Sequence, residues 1–352
     1  MTESTESEGT GPLLSVESLQ THIHAEWGTI RAVDGVSFTV EPGQAVCLVG
    51  ESGSGKSVTC ESITGIVPQP PAEIVGGSVS FDGIDLRDAE TDLATIRGGG
   101  IGHVFQNPQH ALDPVYSVGE QLVEAITVQE SVGERTARTR GIELLRQVGI
   151  PRPSVRIDDY PHEFSGGMAQ RVAIAIALAA DPALLIADEP TTAVDVTVQA
   201  RLIDFLRTLL DRGMGLLLVT HDLRVVAALA DRVLVMFGGT IVERGPVEHI
   251  FEQPAHPYTQ ALFDSYDGLG QLPERPSRWE LPTAGCRFQP ECPYAVDACA
   301  TGQQPPFHDV DAGKSERQHT VSCIHYGPDH ESDDIRSAGQ AVAPEKGVDG
   351  DD

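Results

Sequence analysis

The stretch Phe164-Ser165-Gly166-Gly167-Met168-Ala169-Gln170-Arg171 decides how this 352-residue chain is read. Ser-Gly-Gly opening a helix offers bare backbone N–H groups to an anion, where the helix dipole also favours negative charge. About 110 residues upstream, Gly50-Glu51-Ser52-Gly53-Ser54-Gly55-Lys56-Ser57 fits G-x-x-x-x-G-K-S. There the glycines let backbone amides close around a β-phosphate. Lys56 brings charge to the β- and γ-phosphates, and Ser57 brings a hydroxyl to Mg²⁺. The apolar strand Ala45–Val49 runs into this loop, and a helix is expected from Gly55 to about Ile66, with Val58 in its first turn.

Downstream of the Ser-Gly-Gly segment, the apolar strand Leu184–Ala187 delivers two carboxylates, Asp188 and Glu189, to its C-terminal end. Ligands bind at that end of strands in open α/β sheets. Asp188 suits a Mg²⁺ ligand through water, and Glu189 suits the base that polarises an attacking water. Gln106 follows the strand Ile101–Phe105, and His221 follows the strand Leu216–Thr220. Alone, a Gln or His at a strand end is a structural cap; in series with the other motifs, both suit a phosphoryl-transfer site.

Around these motifs, Leu14 to Val40 alternates as strands do, and Ser78–Phe81 reads as another strand. Val118–Val128 and Glu134–Val148 have helical spacing, as do Ser165–Ala180 and Val196–Arg212. The alternation predicts an α/β domain with a mostly parallel sheet and helices on both faces. The divisions expected are an acidic disordered tail over 1–12, the nucleotide domain over 13–265 with helices inserted over about 107–180, a Cys-rich extension over 266–330, and a second disordered acidic tail over 331–352.

The ordered motifs resemble the ATP-binding subunits of ABC transporters over roughly Leu14 to Phe263. The resemblance implies a P-loop ABC-type nucleotide-binding fold with an inserted α-helical subdomain and a small Cys-rich C-terminal extension. It also implies ATP and Mg²⁺ as ligands, with Ser57, Gln106 and Asp188 toward the metal and His221 as the switch histidine on the γ-phosphate. Ser165, Gly166, Gly167 and Gln170 would face the ATP held by a second such subunit, and Asp195 in Thr191-Thr-Ala-Val-Asp195 resembles the loop aspartate that crosses between subunits. Trp27 stands where an aromatic ring stacks on adenine in many relatives, with a partly exposed core Trp as the alternative. Phe164 and Val194 replace the usual leucines, both apolar for apolar. Phe105-Gln-Asn-Pro-Gln-His-Ala-Leu-Asp-Pro114 and His256-Pro257-Tyr258-Thr259 are similar to the dipeptide/oligopeptide branch. That branch implies ATP-driven import through two separate permeases, fed by a substrate-binding lipoprotein, with the ATPase peripheral on the cytoplasmic side of the membrane.

Two alternatives stand beside that reading: import of another solute such as nickel or a sugar, and a soluble ABC-type ATPase not tied to transport. DNA-repair types carry a long coiled coil between the two phosphate-binding segments, and this interval shows no heptads. Translation types carry two cassettes, and this chain has one phosphate loop.

Four cysteines, Cys286, Cys292, Cys299 and Cys323, are spaced C-x5-C-x6-C-x23-C in a Pro-rich stretch. Metal is a better reading than disulfides for a cytosolic chain. Zinc usually shows a tight C-x2-C pair, whereas iron–sulfur clusters take four thiolates at varied spacing; reduced structural thiols are a third reading. The resemblance to the dipeptide branch implies a 4Fe–4S cluster there. Cys47 and Cys60 read as small buried residues.

Composition narrows the partners. Acidic residues number 52 against 24 basic, a formal net charge of −28, which argues against nucleic acid. Lys56, Lys314 and Lys346 are the only lysines. High acid with little lysine resembles the proteomes of salt-loving archaea, where salt screens the self-repulsion. No run approaches the roughly 20 apolar residues of a membrane span. The acidic start Met1-Thr-Glu-Ser reads as neither signal peptide nor lipid anchor.

Overall fold

The computed structural model describes residues 11–26, 28–192, 195–266, 281–310, 319–328 and 330–342. The N-terminal tail up to residue 10, Trp27 and Val194 therefore lie outside the described residues.

Two sheets form the frame. β1 (Leu14–Ala25), β2 (Gly28–Val40), β4 (Ala72–Phe81) and β5 (Ile84–Asp85) make an antiparallel sheet in the order β2-β1-β4-β5. β3 (Ala45–Val49), β6 (Ile101–Val104), β7 (Leu184–Asp188), β8 (Gly215–Val219) and β9 (Arg232–Phe237) belong to a larger sheet with β10 (Thr240–Pro246), β11 (His308–Asp309) and β12 (Thr320–Val321). Its order is β11-β12-β10-β9-β3-β8-β7-β6. The run β9-β3-β8-β7-β6 is parallel, and β10, β12 and β11 pair antiparallel at one edge.

Every residue of β3, β7 and β8 is buried, as expected for a sheet covered on both sides. Alternate residues serve two different cores. Ala45, Cys47 and Val49 face one core with Leu185, Ala187, Leu216, Leu218, Val233 and Val235. Val46 and Leu48 face the other with Ile186, Leu217, Val219, Leu234 and Met236.

The covers of the two cores differ: helices lie on both faces, but on one of them a single helix shares the cover with a second sheet. On the first face lie helices: α2 (Val118–Gln129), α3 (Glu134–Gln147), α4 (Gly166–Ala177) and α5 (Val196–Leu210) contribute Leu122, Ile126, Leu145, Val172, Leu202 and Leu206. On the second face lies the antiparallel sheet, through Leu14, Val16, Val36, Phe38 and Val79, with Cys60 and Ile63 of α1 (Lys56–Thr64). The amphipathic strands of Leu14 to Val40 have one apolar face to bury, and this is where they bury it.

Local sequence sets the helix ends. Ser117 and Glu120 form a capping box at α2: the Ser117 N–H donates to Glu120 Oε2 at 2.8 Å, and the Glu120 N–H donates to Ser117 Oγ at 3.2 Å. Each satisfies an amide that the helix cannot. α5 starts at Asp195, whose carboxylate accepts the Val198 N–H at 3.0 Å.

Beyond the sheet come α6 (Leu223–Leu229), α7 (Val247–Glu252), α8 (Pro257–Tyr266) and α9 (Asp333–Val342). α9 corrects the reading of 331–352 as a disordered tail: Ile335 is buried, and its carbonyl accepts from Gln260 Nε2 at 2.9 Å. Ile335 gives the helix an apolar anchor, and α8 offers it a hydrogen-bond partner. Residues 343–352 lie outside the described residues.

Candidate nucleotide site

Because β3, β6, β7 and β8 are parallel, the segments that follow them leave the same edge of the sheet. Topology therefore brings together residues far apart in sequence. A cavity of about 370 Å³ at this edge is lined by Ser52, Gly53, Gly55, Lys56, Ser57 and Val58 after β3. Gln106 after β6, Asp188 and Glu189 from β7, and His221 after β8 complete the polar wall.

The phosphate loop needs glycine where it turns. Gly55 has φ +113, and a Cβ there would lie 2.2 Å from the Ala32 carbonyl oxygen. Gly50 has φ +148, and its Cβ would lie 2.2 Å from Met236 O. The loop is thus wedged against β2 and β9 with no room for side chains. Lys56 Nζ donates to the carbonyls of Gly50 and Glu51, each at 2.7 Å, which holds its charge inside the loop.

Asp188 is buried, and its Oδ1 has no hydrogen-bond partner. Burial pushes its carboxyl above the usual carboxylate range, against a hydrogen bond from the Ser57 hydroxyl and the charge of Lys56. An orphaned buried carboxylate oxygen beside a serine hydroxyl suits a hard divalent cation. Ser57 and Asp188 fit Mg²⁺ on these grounds, and exposed Gln106 lines the same cavity.

Glu189 sits at φ +52, the left-handed region, and its N–H donates to Val219 O at 2.8 Å. A strained non-glycine backbone is tolerated where the surroundings fix it. The carboxylate is bound from both sides: Oε1 lies 2.8 Å from His221 Nδ1, and Oε2 accepts from Thr192 Oγ1 at 3.2 Å. The His221 side chain is 70% exposed and that of Glu189 9%, so the histidine is open to a partner while the glutamate is enclosed.

The Ser-Gly-Gly segment lies elsewhere. Ser165 caps α4, its Oγ accepting the Met168 N–H at 3.4 Å, and Ser165 and Gly166 are exposed. None of Ser165, Gly166, Gly167 and Gln170 lines the cavity. Gln170 is buried, with Nε2 unpartnered, and Arg171 beside it feels the charge of Asp195.

Several cavity residues carried no sequence signal. Ile30 and Ala32 of β2, Gly238 and Gly239 between β9 and β10, and Leu281 form an apolar wall. Apolar residues at a strand end look like any core residue until the loops are placed. Thr192 could have been read from its position three residues after Glu189.

The four clustered cysteines are unpaired; Cys286, Cys299 and Cys323 are buried. Burial pushes the Cys286 thiol up, that of Cys292 up to about 11 and that of Cys323 up to about 12. The thiols of Cys286, Cys292 and Cys323 are close enough to feel the charge of neighbouring cysteines, and backbone amides of Phe288, Tyr294 and His325 donate to them respectively. The donor chemistry suits an iron–sulfur cluster or zinc. The arrangement does not: among the described residues no three His, Cys, Asp or Glu side chains converge to hold a metal ion. The iron–sulfur expectation gains no support from this geometry.

A P-loop after β3, a histidine after the neighbouring strand β8 and two carboxylates at the end of β7 beyond it define an ATPase of the ABC type. Residues 33–192 match the ABC transporter family, and residues 242–299 match the C-terminal region of oligopeptide/dipeptide transporters. The chain is 43% identical over 317 residues to the dipeptide transport ATP-binding protein DppD of Escherichia coli, covering 87% of this chain and 96% of that one. It is 44% identical over 323 residues to the oligopeptide transport ATP-binding protein AppD of Bacillus subtilis, covering 89% and 97%. Among solved structures, the dimeric post-hydrolysis state of the ATP-binding cassette MJ0796, bound to ADP and Pi, matches with a TM-score of 0.61 at 27% identity, covering 66% of this chain and 98% of that one. The chain belongs to the ATP-binding subunits of ABC transporters.

Proposed function

We propose that this chain hydrolyses ATP to drive import of dipeptides or oligopeptides through a separate membrane permease. The observation that carries the ATPase reading is the convergence of Lys56, Ser57, Asp188, Glu189 and His221 on one cavity. The cargo reading is supported by relatives that name peptide transport and align over nearly their whole length.

Lys56 neutralises the β- and γ-phosphates, and Ser57, Asp188 and Gln106 hold Mg²⁺, which supplies further charge neutralisation. Glu189, held by Thr192 and His221, accepts the proton of the attacking water. His221, exposed beside it, reaches the γ-phosphate. Ser165, Gly166, Gly167 and Gln170 act on the ATP of a second subunit, since their helix start faces solvent rather than their own cavity. Asp195 then crosses that dimer interface.

The helices between β6 and β7 form the helical subdomain. With Gln106 they meet the permease pair, so the subunit works peripherally on the cytoplasmic face of the membrane. Among the described residues no helix is long and apolar enough to cross a membrane. A substrate-binding lipoprotein delivers cargo on the far side. A 4Fe–4S cluster in the Cys-rich extension, with zinc as the alternative, rests on the donor set alone, against the separated placing of the thiols. The charge of −28 suits a salt-rich cytosol.

ATP-dependent uptake of a radiolabelled dipeptide by the source cells tests the assignment. Uptake should vanish when this chain carries Glu189→Gln. Dipeptide uptake that persists, with nickel or sugar uptake lost instead, moves the chain to another cargo. Brown protein with iron and acid-labile sulfide after anaerobic purification supports the cluster; stoichiometric zinc moves the site to the alternative, and metal-free protein removes both.

A further inference from the structure

The phosphate loop has a contact that none of the ATPase motifs supplies. Tyr258 belongs to α8, about 200 residues after the loop, yet its hydroxyl oxygen accepts the Glu51 N–H at 2.9 Å. Glu51 is the second residue of the phosphate loop. Its carbonyl also accepts from Lys56 Nζ at 2.7 Å and from the Ser54 N–H at 3.1 Å. The peptide groups on both sides of the Glu51 Cα are therefore fixed: the loop holds both carbonyls through Lys56, and Tyr258 takes the Glu51 N–H.

The tyrosine is itself held firmly. It is 1% exposed. Its ring packs on Phe237 of β9 with centroids 4.6 Å apart and on Phe288, between Cys286 and Cys292, at 5.5 Å. Its N–H donates to His256 Nδ1 at 3.0 Å, and the His256 N–H donates to Glu243 Oε2 at 2.8 Å. Glu243, fully buried on β10, also accepts the Ala255 N–H at 2.8 Å and faces His319 Nε2 at 2.7 Å. His256-Pro257-Tyr258 is thus anchored to the central sheet, and it presents one hydroxyl to the loop.

We propose that Tyr258 is a positioning residue for ATP: it pre-orders the phosphate loop from the C-terminal side of the chain. A loop that binds a triphosphate through its backbone loses conformational freedom on binding, and a loop already fixed loses less. Tyr258 touches no reacting atom, so it acts on binding and not on the chemical step. The inference rests on the reading of the cavity as an ATP site.

The test uses the full chain carrying Tyr258→Phe, which removes the hydroxyl and keeps the ring. Binding is read with N-methylanthraniloyl-ATP and with inorganic tripolyphosphate. One hydrogen bond corresponds to about fivefold in affinity, so Kd for both ligands should rise about fivefold. In the transporter, KM for ATP should rise by the same factor with kcat unchanged. Ile335→Ala, which loosens the packing of α9, controls for a general loss of stability: it should lower the melting temperature without moving Kd. Parent-like Kd in Tyr258→Phe, with binding lost in Lys56→Ala, overturns the inference and leaves the ATP site standing. Binding retained in Lys56→Ala overturns the site itself.

Discussion

The nucleotide cavity and the cysteine region both gather residues from scattered parts of the chain, but they rest on different supports. The cavity hangs on the ends of four buried parallel strands, whose hydrogen-bond register places each following residue. The cysteines lie in or next to short 3₁₀ turns, Gln289–Glu291, Asp297–Ala300 and Ile324–Tyr326, with two-residue strands between the last two. Behind the cavity lie two large apolar cores; Cys286 and Cys299 reach into the first of these and Cys292 packs against it, whereas Cys323 belongs to a small cluster with Ala255, Val310, Val321 and Ile335. A frame of regular strands fixes polar side chains within hydrogen-bond reach. Short turns that divide their thiols between two cores bring them near one another without bringing them together.

The largest expected effect would break the comparison on the cavity side. Glu189→Gln removes the water's base and leaves the loop intact, so turnover should fall at least about 100-fold while ATP still binds. Phosphate release by the assembled transporter, measured beside nucleotide binding, checks this; near-parental turnover would remove Glu189 from the chemistry.

A matched pair of glycines compares the two regions directly. A Cβ on Gly55 would lie 2.2 Å from Ala32 O, and a Cβ on Gly285, at φ +69, would lie 2.1 Å from Cys299 O. Each alanine should cost about 2–4 kcal/mol. Gly55→Ala should lower global stability and abolish ATP binding. Gly285→Ala should instead expose residues 281–310 to protease while the sheet stays resistant. Cleavage of the sheet at the same rate would show that the two regions unfold as one.

Acid should strike both regions. Burial lowers the pKa of His103, in the cavity strand β6, to about 4. Burial does the same to His256, also to about 4, against the opposing charge of Glu243. An unfolded histidine takes its proton near 6.5. Between about 6.5 and 4 the unfolded chain therefore binds more protons, so stability falls as pH falls through that window and is level above it. Each histidine contributes a loss on the order of 3 kcal/mol by pH 4. Urea melts between pH 7.5 and 4.5 read the slope. His256→Asn, which keeps an acceptor for the Tyr258 N–H, should flatten part of it; an unchanged slope would remove His256 as a source.

The smallest effect compares two thiols. Cys47 is fully buried in the central strand β3, whereas Cys323 lies at the edge of the small cluster. Replacing each by Ser should cost about 1–3 kcal/mol for Cys47 and less for Cys323. Equal costs would show that the small cluster is as tightly packed as the main core.

Much of this was readable from the chain. Gly50–Ser57, Asp188–Glu189 and His221 follow apolar runs, and the runs are strands within a residue or so at each end. Such motifs are legible because an apolar run, a Gly-rich turn and a polar residue are all local patterns. Ser165 as a cap and Asp195 as a cap follow from the same local chemistry.

The rest depends on contacts with no local signature. No pattern in Leu14 to Val40 says that its strands share the cover of one face of the main sheet with a single helix. Polar composition hides the single buried side of Ile335. Tyr258 reads as one more aromatic residue until α8 brings its hydroxyl to Glu51, and Leu281 as one more leucine until the turn at Gly238–Gly239 places it on the cavity wall. Cysteine spacing gives the donors but not their convergence. The sequence by itself determined the order of the motifs, the strands that carry them and the chemistry each can offer, because those follow from neighbours along the chain. Which faces are covered, what holds the phosphate loop and how near the thiols come depend on packing between segments 200 and more residues apart, as Tyr258 and Glu51 are.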